Sequence, residues 1–370
     1  MEKILAIPNI DVYAVLLVLG FFGLVEMILG HYHKTKRNRD DWILESLGFF
    51  VVVGTKLLLV AVVVFLGDFI FPSFSNVFQG WSLWLSIPFY LLIDDMSQYW
   101  FHRSAHEYNW LWKHHRVHHQ AEDMGILVAY RNSWVYYLLL PNLWWGAIAT
   151  YLGLAPAVIA GLIIKQLVVT STHSTWKWDK PFYEIKALQP MAWLMERIFI
   201  TPAFHHSHHG KSKADHISDP NGNYGNTFSI WDQMFGTAMF TRKYPTDFGL
   251  QTDPLDPWYS QLLYPFIKSP KEGSELAAGH KKEKHIGTEP LKTTLKAGTY
   301  LYCQCGFSST QPFCNGAHHG TKFKPMLVEI EKTRPVSLCT CKLTSTPPYC
   351  DNSHLSMKNE QVELSQTAEM

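Results

Sequence analysis

The sequence predicts an all-α polytopic membrane protein of about five membrane helices with a His-rich cap, followed by a small β-rich C-terminal domain. Three observations predict this. The long apolar runs lie almost entirely within residues 1–173, and residues 270–370 hold almost none. The 19 His are clustered rather than scattered. All six Cys fall between Cys303 and Cys350, in two copies of one spacing. A length of 370 residues allows two or three domains, and a net charge of +1 gives no electrostatic case for nucleic acid as a partner.

Five apolar stretches reach the roughly 20 residues that a helix needs to cross a bilayer. They are 10–30, 46–70, 81–101, 134–152 and 155–173. The first does not read as a signal peptide, because Lys3 is balanced by Glu2 and no small-residue cleavage pattern follows. The 14 Trp suit membrane–water interfaces. The loop 31–42 carries Lys34, Lys36, Arg37 and Arg39, whereas 71–80 carries no Lys or Arg. The positive-inside rule therefore puts 31–42 in the cytoplasm. Residues 102–133 and everything after 173 fall on the same side. Glu26, Lys56 and Lys165 sit within spans and call for partners or a route for their charge to the interface.

The third span runs into His102-Arg103-Ser104-Ala105-His106, with His102 and His106 on one helix face. Asp95 and Tyr99 lie on the same stripe, where a carboxylate could accept the second ring N–H of a ligand His. His115, His118 and His119 repeat the one-face arrangement, and so do His205, His208 and His209, while His173 ends the fifth span. A lone His is usually a satisfied core or surface residue. Three clusters on one side of a membrane are not explained that way. Nine imidazoles are enough for two metal ions, and imidazole suits iron, zinc, copper and nickel. No Cys lies near them, which argues against a structural zinc site. His114 and His206 fall off the shared faces, His216 has no assignment, and His31 and His33 read as interfacial.

The pattern HxxxH, HxxHH, HxxHH, with Asp95 and Tyr99 before it and Asn223-Tyr224-Gly225 and Trp231-Asp232-Gln233-Met234-Phe235-Gly236-Thr237 after it, resembles the fatty acid hydroxylase/sterol desaturase superfamily. The stretches His106-Glu107-Tyr108-Asn109-Trp110 and Arg131-Asn132-Ser133 look closest to its alkylglycerol monooxygenase branch. The resemblance covers about 80–240. It implies two non-haem irons held by His102, His106, His115, His118, His119, His173, His205, His208 and His209. It also implies O2, an outside reductant and a lipid substrate. Asp95 and Asp232 are the acidic candidates beside that site. Some relatives carry a further His four residues after the position of His173, where this chain has Lys177.

Residues 268–298, rich in Lys, Glu and Gly, read as a flexible linker. Beyond it, Cys303-x-Cys305-x8-Cys314-x3-His318 is repeated as Cys339-x-Cys341-x8-Cys350-x3-His354. Three thiolates and an imidazole suit zinc or an iron–sulfur cluster, and the narrow opening Cys pair leans to iron. With Ser308, Pro312, Thr344 and Pro348 in matching places, the two copies resemble the CDGSH iron–sulfur family in tandem form. Asn315 and Asn352 depart from its usual Asp and Gly. The resemblance implies two 2Fe-2S clusters, one per motif.

The expected organisation is a membrane di-iron domain over 1–267, a linker over 268–298, the tandem iron–sulfur domain over 299–358 and a polar tail over 359–370. The expected activity is O2-dependent hydroxylation or desaturation of a sterol, fatty acyl or ether lipid. An external reductase would supply electrons through the chain's own clusters. The rival reading is a membrane-anchored iron–sulfur redox sensor or carrier whose His site is not catalytic. A zinc-dependent membrane hydrolase is disfavoured, because no HExxH helix is present.

Overall fold

The computed structural model describes residues 10–250 and 254–356, so the polar tail at 359–370 lies outside the described residues. Among the described residues, three helices are long and apolar enough to cross a membrane: α1 (Ile10–Ile28), α3 (Arg39–Ile70) and, further along the chain, Ala155–His173. A short α2 (His31–Lys34) follows α1. Their outward side chains, Leu17, Phe21, Phe65 and Phe69 among them, are exposed, as expected of surfaces that face lipid in an integral membrane protein. At 32 residues, α3 is about 48 Å long, well beyond the hydrocarbon core. Its first turns therefore stand clear of the bilayer, closed by a capping box in which Asn38 and Asp41 bond each other's backbone N–H.

Helix α4 (Leu83–Glu107) runs unbroken through the third expected span and on to His102 and His106. It carries Asp94, Asp95 and Gln98, all buried, and so is less apolar than α1 or α3. Asp94 pairs with Lys165, which answers the charge of both inside the helix packing. Lys56 likewise meets Asp11 at 3.2 Å, and Glu26 accepts the amides of Ile126 (3.1 Å) and Thr175 (3.0 Å).

The histidine-rich α5 (Asn109–His119) turns back across the end of α4. The fourth expected span is not one helix. It divides into α6 (Trp134–Leu139) and α7 (Pro141–Tyr151), because Pro141 has no N–H to give and holds Leu140 extended. The broken pair still runs from the histidine end, where Ser133 caps α6, to the opposite end. There the carbonyls of Tyr151 and Leu152 accept the amides of Asn76 (3.0 Å) and Phe78 (2.9 Å). Helix α8 (Ala155–His173) returns to the histidine end. The 31–42 loop lies at that end too, with the amide of Lys36 on Asp123 at 3.4 Å. Leu59, Ala105, Leu111, Tyr136, Leu143 and Ala147 form the core where α3 to α7 meet.

The cap continues as α9 (Lys180–Glu184), α10 (Gln189–Ile198), α11 (Pro202–His209), α12 (Ile230–Met234) and α13 (Trp258–Leu262). The tail forms two antiparallel ribbons, β1 (Leu291–Leu295) with β4 (Arg334–Leu338) and β2 (Gly298–Tyr302) with β3 (Met326–Ile330). Strand β1 falls within the segment expected to be linker. Upstream of it, Leu276 is fully buried, and Glu275 accepts the indole N–H of Trp112 at 3.0 Å. Lys and Glu composition suggested a free tether, but Glu275 also pairs with Lys282 at 2.9 Å.

Candidate metal centre

Four elements bring the imidazoles together: the C-terminal ends of α4 and α8, and the whole of α5 and α11. Their nitrogens gather in two groups, in each of which one donor atom per residue lies within 4.8 Å of all the others. One group holds His102, His106, His115, His119 and His208, and the other His118, His173, His205 and His209. All nine rings are buried. The groups share a wall, with the His119 and His209 rings stacked at 4.6 Å.

The tautomers follow from the partners. Nδ1–H of His102 donates to the Tyr224 carbonyl (2.8 Å), that of His208 to Gly222 (2.7 Å), His118 to Val128 (3.0 Å) and His173 to Val169 (2.8 Å). His115 donates to the side-chain oxygen of Asn132 (3.1 Å). A carbonyl can only accept, so Nδ1 carries the proton and Nε2 bears a lone pair. Yet Nε2 of His102 faces Nε2 of His208 at 3.1 Å, and Nε2 of His118 faces that of His173 at 3.4 Å. Two lone pairs at that distance repel unless a cation lies against both. His115 Nε2 and His119 Nε2 are buried with no hydrogen-bond partner, and so are both ring nitrogens of His106. This is a donor set for metal, and neutral imidazole suits iron. Burial, with the neighbouring imidazoles adding to it, holds His115, His118, His119, His205, His208 and His209 well below the usual imidazole range. They are therefore neutral at pH 7, as ligands must be.

Helix α5 is held by buried cations. Arg116 pairs with Asp256 at 2.8 Å. Arg131 donates to the Val117 carbonyl at 2.9 Å and pairs with Asp41, with Glu45 at 3.5 Å. The neighbours of Arg131 act at the same place: Asn132 on His115, and Ser133 on His114 at 2.9 Å. His114 and His206 lie outside both groups, and His216 meets Thr299 of β2 at 2.9 Å. Lys177 stands over the Tyr244 ring at 4.5 Å.

The two acidic candidates stand in different places. Asp95 touches no imidazole. It accepts from the Phe228 amide and the Trp231 indole, both at 3.0 Å, and so ties the 223–237 segment to α4. Asp232 sits one peptide behind His102. It accepts from the amides of Tyr224 (2.8 Å) and Gly225 (2.7 Å) and from the Thr237 hydroxyl (2.6 Å), and the carbonyl of the same Tyr224 holds His102. Burial pushes the Asp232 carboxyl up to about 6, against the three donors that pull it down. Sequence reasoning gave no role to Asn132, Gly222 or Trp112. Trp112 was within reach, being three residues before His115 and seven before His119, on the ligand face of α5.

In the tail, Cys303 follows β2 directly and Cys339 follows β4, so the two repeats have equivalent frames. The amides of Cys303 and Cys339 donate to Pro312 (2.8 Å) and Pro348 (2.9 Å), and those of Cys314 and Cys350 to Leu301 (2.7 Å) and Ser337 (2.9 Å). Each motif's donors form two close pairs. Cys303 and Cys305 lie 3.6 Å apart and Cys314 lies 3.2 Å from Nδ1 of His318; in the second copy the distances are 3.4 and 3.3 Å. Two donors per metal is what a two-iron cluster takes. Asn352 has φ +72°, the left-handed conformation that its counterpart Gly316 takes at +87° and that Asn tolerates best after Gly.

Residues 87–237 match the fatty acid hydroxylase family. That segment is similar to a fatty acid hydroxylase domain. It contains all nine histidines and both aspartates. Alkylglycerol monooxygenase of Xenopus tropicalis is 32% identical over 159 residues, covering 43% of this chain and 31% of that protein. The match thus spans about a third of that relative's length. Ornithine lipid hydroxylase OlsE of Rhizobium tropici is 27% identical over 191 residues, 51% of this chain and 52% of that protein. A further similarity is to the human mitochondrial CDGSH iron-sulfur domain-containing protein 3, 46% identical over 51 residues, 13% of this chain and 40% of that protein.

Proposed function

We propose that this chain is an O2-dependent membrane lipid oxygenase. It holds two irons in its two histidine groups and receives electrons through two 2Fe-2S clusters in its own tail. Its reaction is hydroxylation or desaturation of a lipid alkyl chain. The observation that carries the reading is the set of Nε2 lone pairs facing one another across each group, with their Nδ1 protons fixed by carbonyls. Two irons held there would supply O2 activation and removal of hydrogen from an unactivated C–H bond. The chain's residues do the rest. Tyr224, Gly222, Val128, Val169 and Asn132 orient the rings, and burial of all nine keeps bulk water away. Helix α8, long and apolar enough to cross a membrane, ends in His173 of the four-histidine group, which supports a substrate drawn from the bilayer. The family match and the relatives named as lipid hydroxylases support this class of substrate.

In this reading the chain crosses the bilayer five times, with α4 as the third crossing and the α6–α7 pair as the fourth. The histidine groups and the tail then lie on the cytoplasmic side, where the basic 31–42 loop belongs. The membrane domain covers 1–267, and the iron–sulfur domain begins with β1. An external one-electron donor refills the clusters.

The test is iron, zinc and acid-labile sulfide per chain in detergent-purified protein, followed by incubation with membrane lipids and a one-electron reductant under isotopically labelled O2. About six iron and four sulfide are expected. Mutating Cys305→Ser and Cys341→Ser together should remove the sulfide and leave about two iron. Label in an alkyl chain identifies a hydroxylase, and a new double bond a desaturase. Zinc without sulfide would overturn the relay. Iron confined to the tail would turn the reading to a redox carrier.

A further inference from the structure

The two Cys3His motifs share one spacing but not one setting. After the histidine of the first motif come His319 and Gly320; after that of the second come Leu355 and Ser356. Leu355 is 51% exposed. His319 and Gly320 are instead packed on the histidine domain. The His319 ring lies flat on Trp112, at 4.8 Å and 16°. Trp112, 1% exposed, in turn packs against His106 at 5.2 Å and His119 at 5.8 Å. The Gly320 amide donates to the carbonyl of His106 at 3.2 Å.

A second connection runs beside the first. Asn221 Nδ2 meets Nε2 of His318 at 2.9 Å, leaving Nδ1 of that ring toward Cys314. The next residue, Gly222, gives its carbonyl to His208 at 2.7 Å. His318 is thus joined to the five-histidine group through Asn221 and Gly222, and through His319 and Trp112. The close approach is built in. Gly320 has φ +71°, and a Cβ there would lie 2.9 Å from both Asn109 Cα and Trp112 Cβ. The segment before β1 reinforces it: Glu275 takes the Trp112 indole N–H, and Lys282 pairs with Glu275 at 2.9 Å and donates to the carbonyl of His319.

We infer that the first motif is the inner station of the relay and the second the outer one, and that Trp112 and His319 form the electron-exchange contact with the five-histidine group. This rests on the di-iron and cluster reading above. Each passage across the Trp112–His319 contact would oxidise a cluster in the first motif by one electron and reduce one of the two ferric ions by one, the ion of the four-histidine group receiving its electron by way of the five-histidine group. An external one-electron reductant meets the second motif and restores the electron, and two passages serve one O2. The docking also explains why the tether is not free. Its charged residues hold the inner motif in place, and fixed contact is a stronger arrangement than a raised local concentration.

The experiment uses the full chain, loaded with iron and sulfide, and reduced anaerobically with limiting dithionite. Freeze-quench EPR and Mössbauer spectra follow the electron from the cluster signal to the iron of the histidine groups, with no substrate turnover. In Gly320→Ala, Trp112→Leu and His319→Leu the fast transfer phase should be lost while cluster spectra and metal content stay those of the parent. Trp112→Phe should restore it, and Leu355→Ala should leave it untouched. Hydrogen exchange at residues 318–322 should rise in Gly320→Ala. Should Trp112→Leu shed iron from the histidine groups, His319→Leu, changed on the tail side, decides the matter. Equal transfer rates in parent and all three variants would overturn the inference and leave the relay standing. No transfer in the parent at all would overturn the relay itself.

Discussion

Nine imidazoles share one buried site, and five of them, His102, His115, His118, His173 and His208, are oriented by hydrogen bonds to other residues. His102 is the clearest case, because its ring is set by the Tyr224 carbonyl and that peptide is set by Asp232. Asp232→Ala leaves the buried amides of Tyr224 and Gly225 without a partner, at about 1–3 kcal/mol each. The Tyr224 peptide is then free to rotate away from His102. We expect iron affinity at the five-histidine group to fall by about 10- to 100-fold, the usual size for a lost outer partner. Asp95→Ala removes the anchor of Phe228 and Trp231 but no link to an imidazole. It should lower the melting temperature while iron affinity stays near the parent value. Chelator competition alongside melting separates the two; an unchanged iron affinity in Asp232→Ala would refute the coupling. At this scale the sequence was legible for which imidazoles gather and not for what supports them. HxxHH spacing puts rings on one helix face whatever surrounds it. The supports are mostly backbone carbonyls, which leave no mark on residue identity. Asp95 was misread because sharing a stripe with His102 fixes a side, not a distance, and α4 carries Asp95 two turns away from the ring.

Helices behave according to their polar residues as much as their apolar ones. Apolar length alone located α1, α3 and α8, but it could not show that Pro141 would divide the fourth segment, because hydropathy is blind to a missing N–H. Helix α10 shows the converse. Only ten residues long, it buries Ala192 and Glu196 and exposes Met191, Trp193, Leu194 and Ile198. Glu196 holds it in place through Arg242, at 3.1 Å. An outward apolar face on a fixed short helix belongs at a membrane surface, since water would leave it uncovered. We expect Trp193 to lie at the lipid headgroup level. In vesicles of brominated lipid, Trp193→Phe should remove part of the quenchable fluorescence, more for bromines near the headgroup than for those deep in the chains. If the quenched fraction does not change, α10 sits in water.

The molecule as a whole is poised against acid. Repeat spacing made both halves legible in the sequence, but their union was not, since nothing in the periodicity of 268–298 announces that Glu275 and Lys282 close on Trp112 and His319. The union adds to the burden of buried neutral imidazole. Burial holds His318 well below the usual range and His319 at about 3, beside the six rings of α5 and α11 already described. A histidine whose pKa is lower folded than unfolded binds fewer protons in the folded state. Its contribution to stability is therefore complete above the unfolded value near 6.5 and is lost as pH falls below it. Asp232 works the other way, since its carboxyl is raised to about 6 and folding takes up a proton there. Burial raises the Asp179 carboxyl in the same direction, but such carboxyls do not offset the larger set of imidazoles, each worth up to about 1.4 kcal/mol per pH unit. The metal-free chain, in which nothing but burial keeps these rings neutral, should keep a constant melting temperature from pH 8 to about 7 and lose it steeply between about 6.5 and 5. Scanning calorimetry of chelator-treated protein across that range measures the slope. A melting temperature that stayed flat down to pH 5 would mean that the rings are wet and the cap open, and would remove the ground for a closed centre.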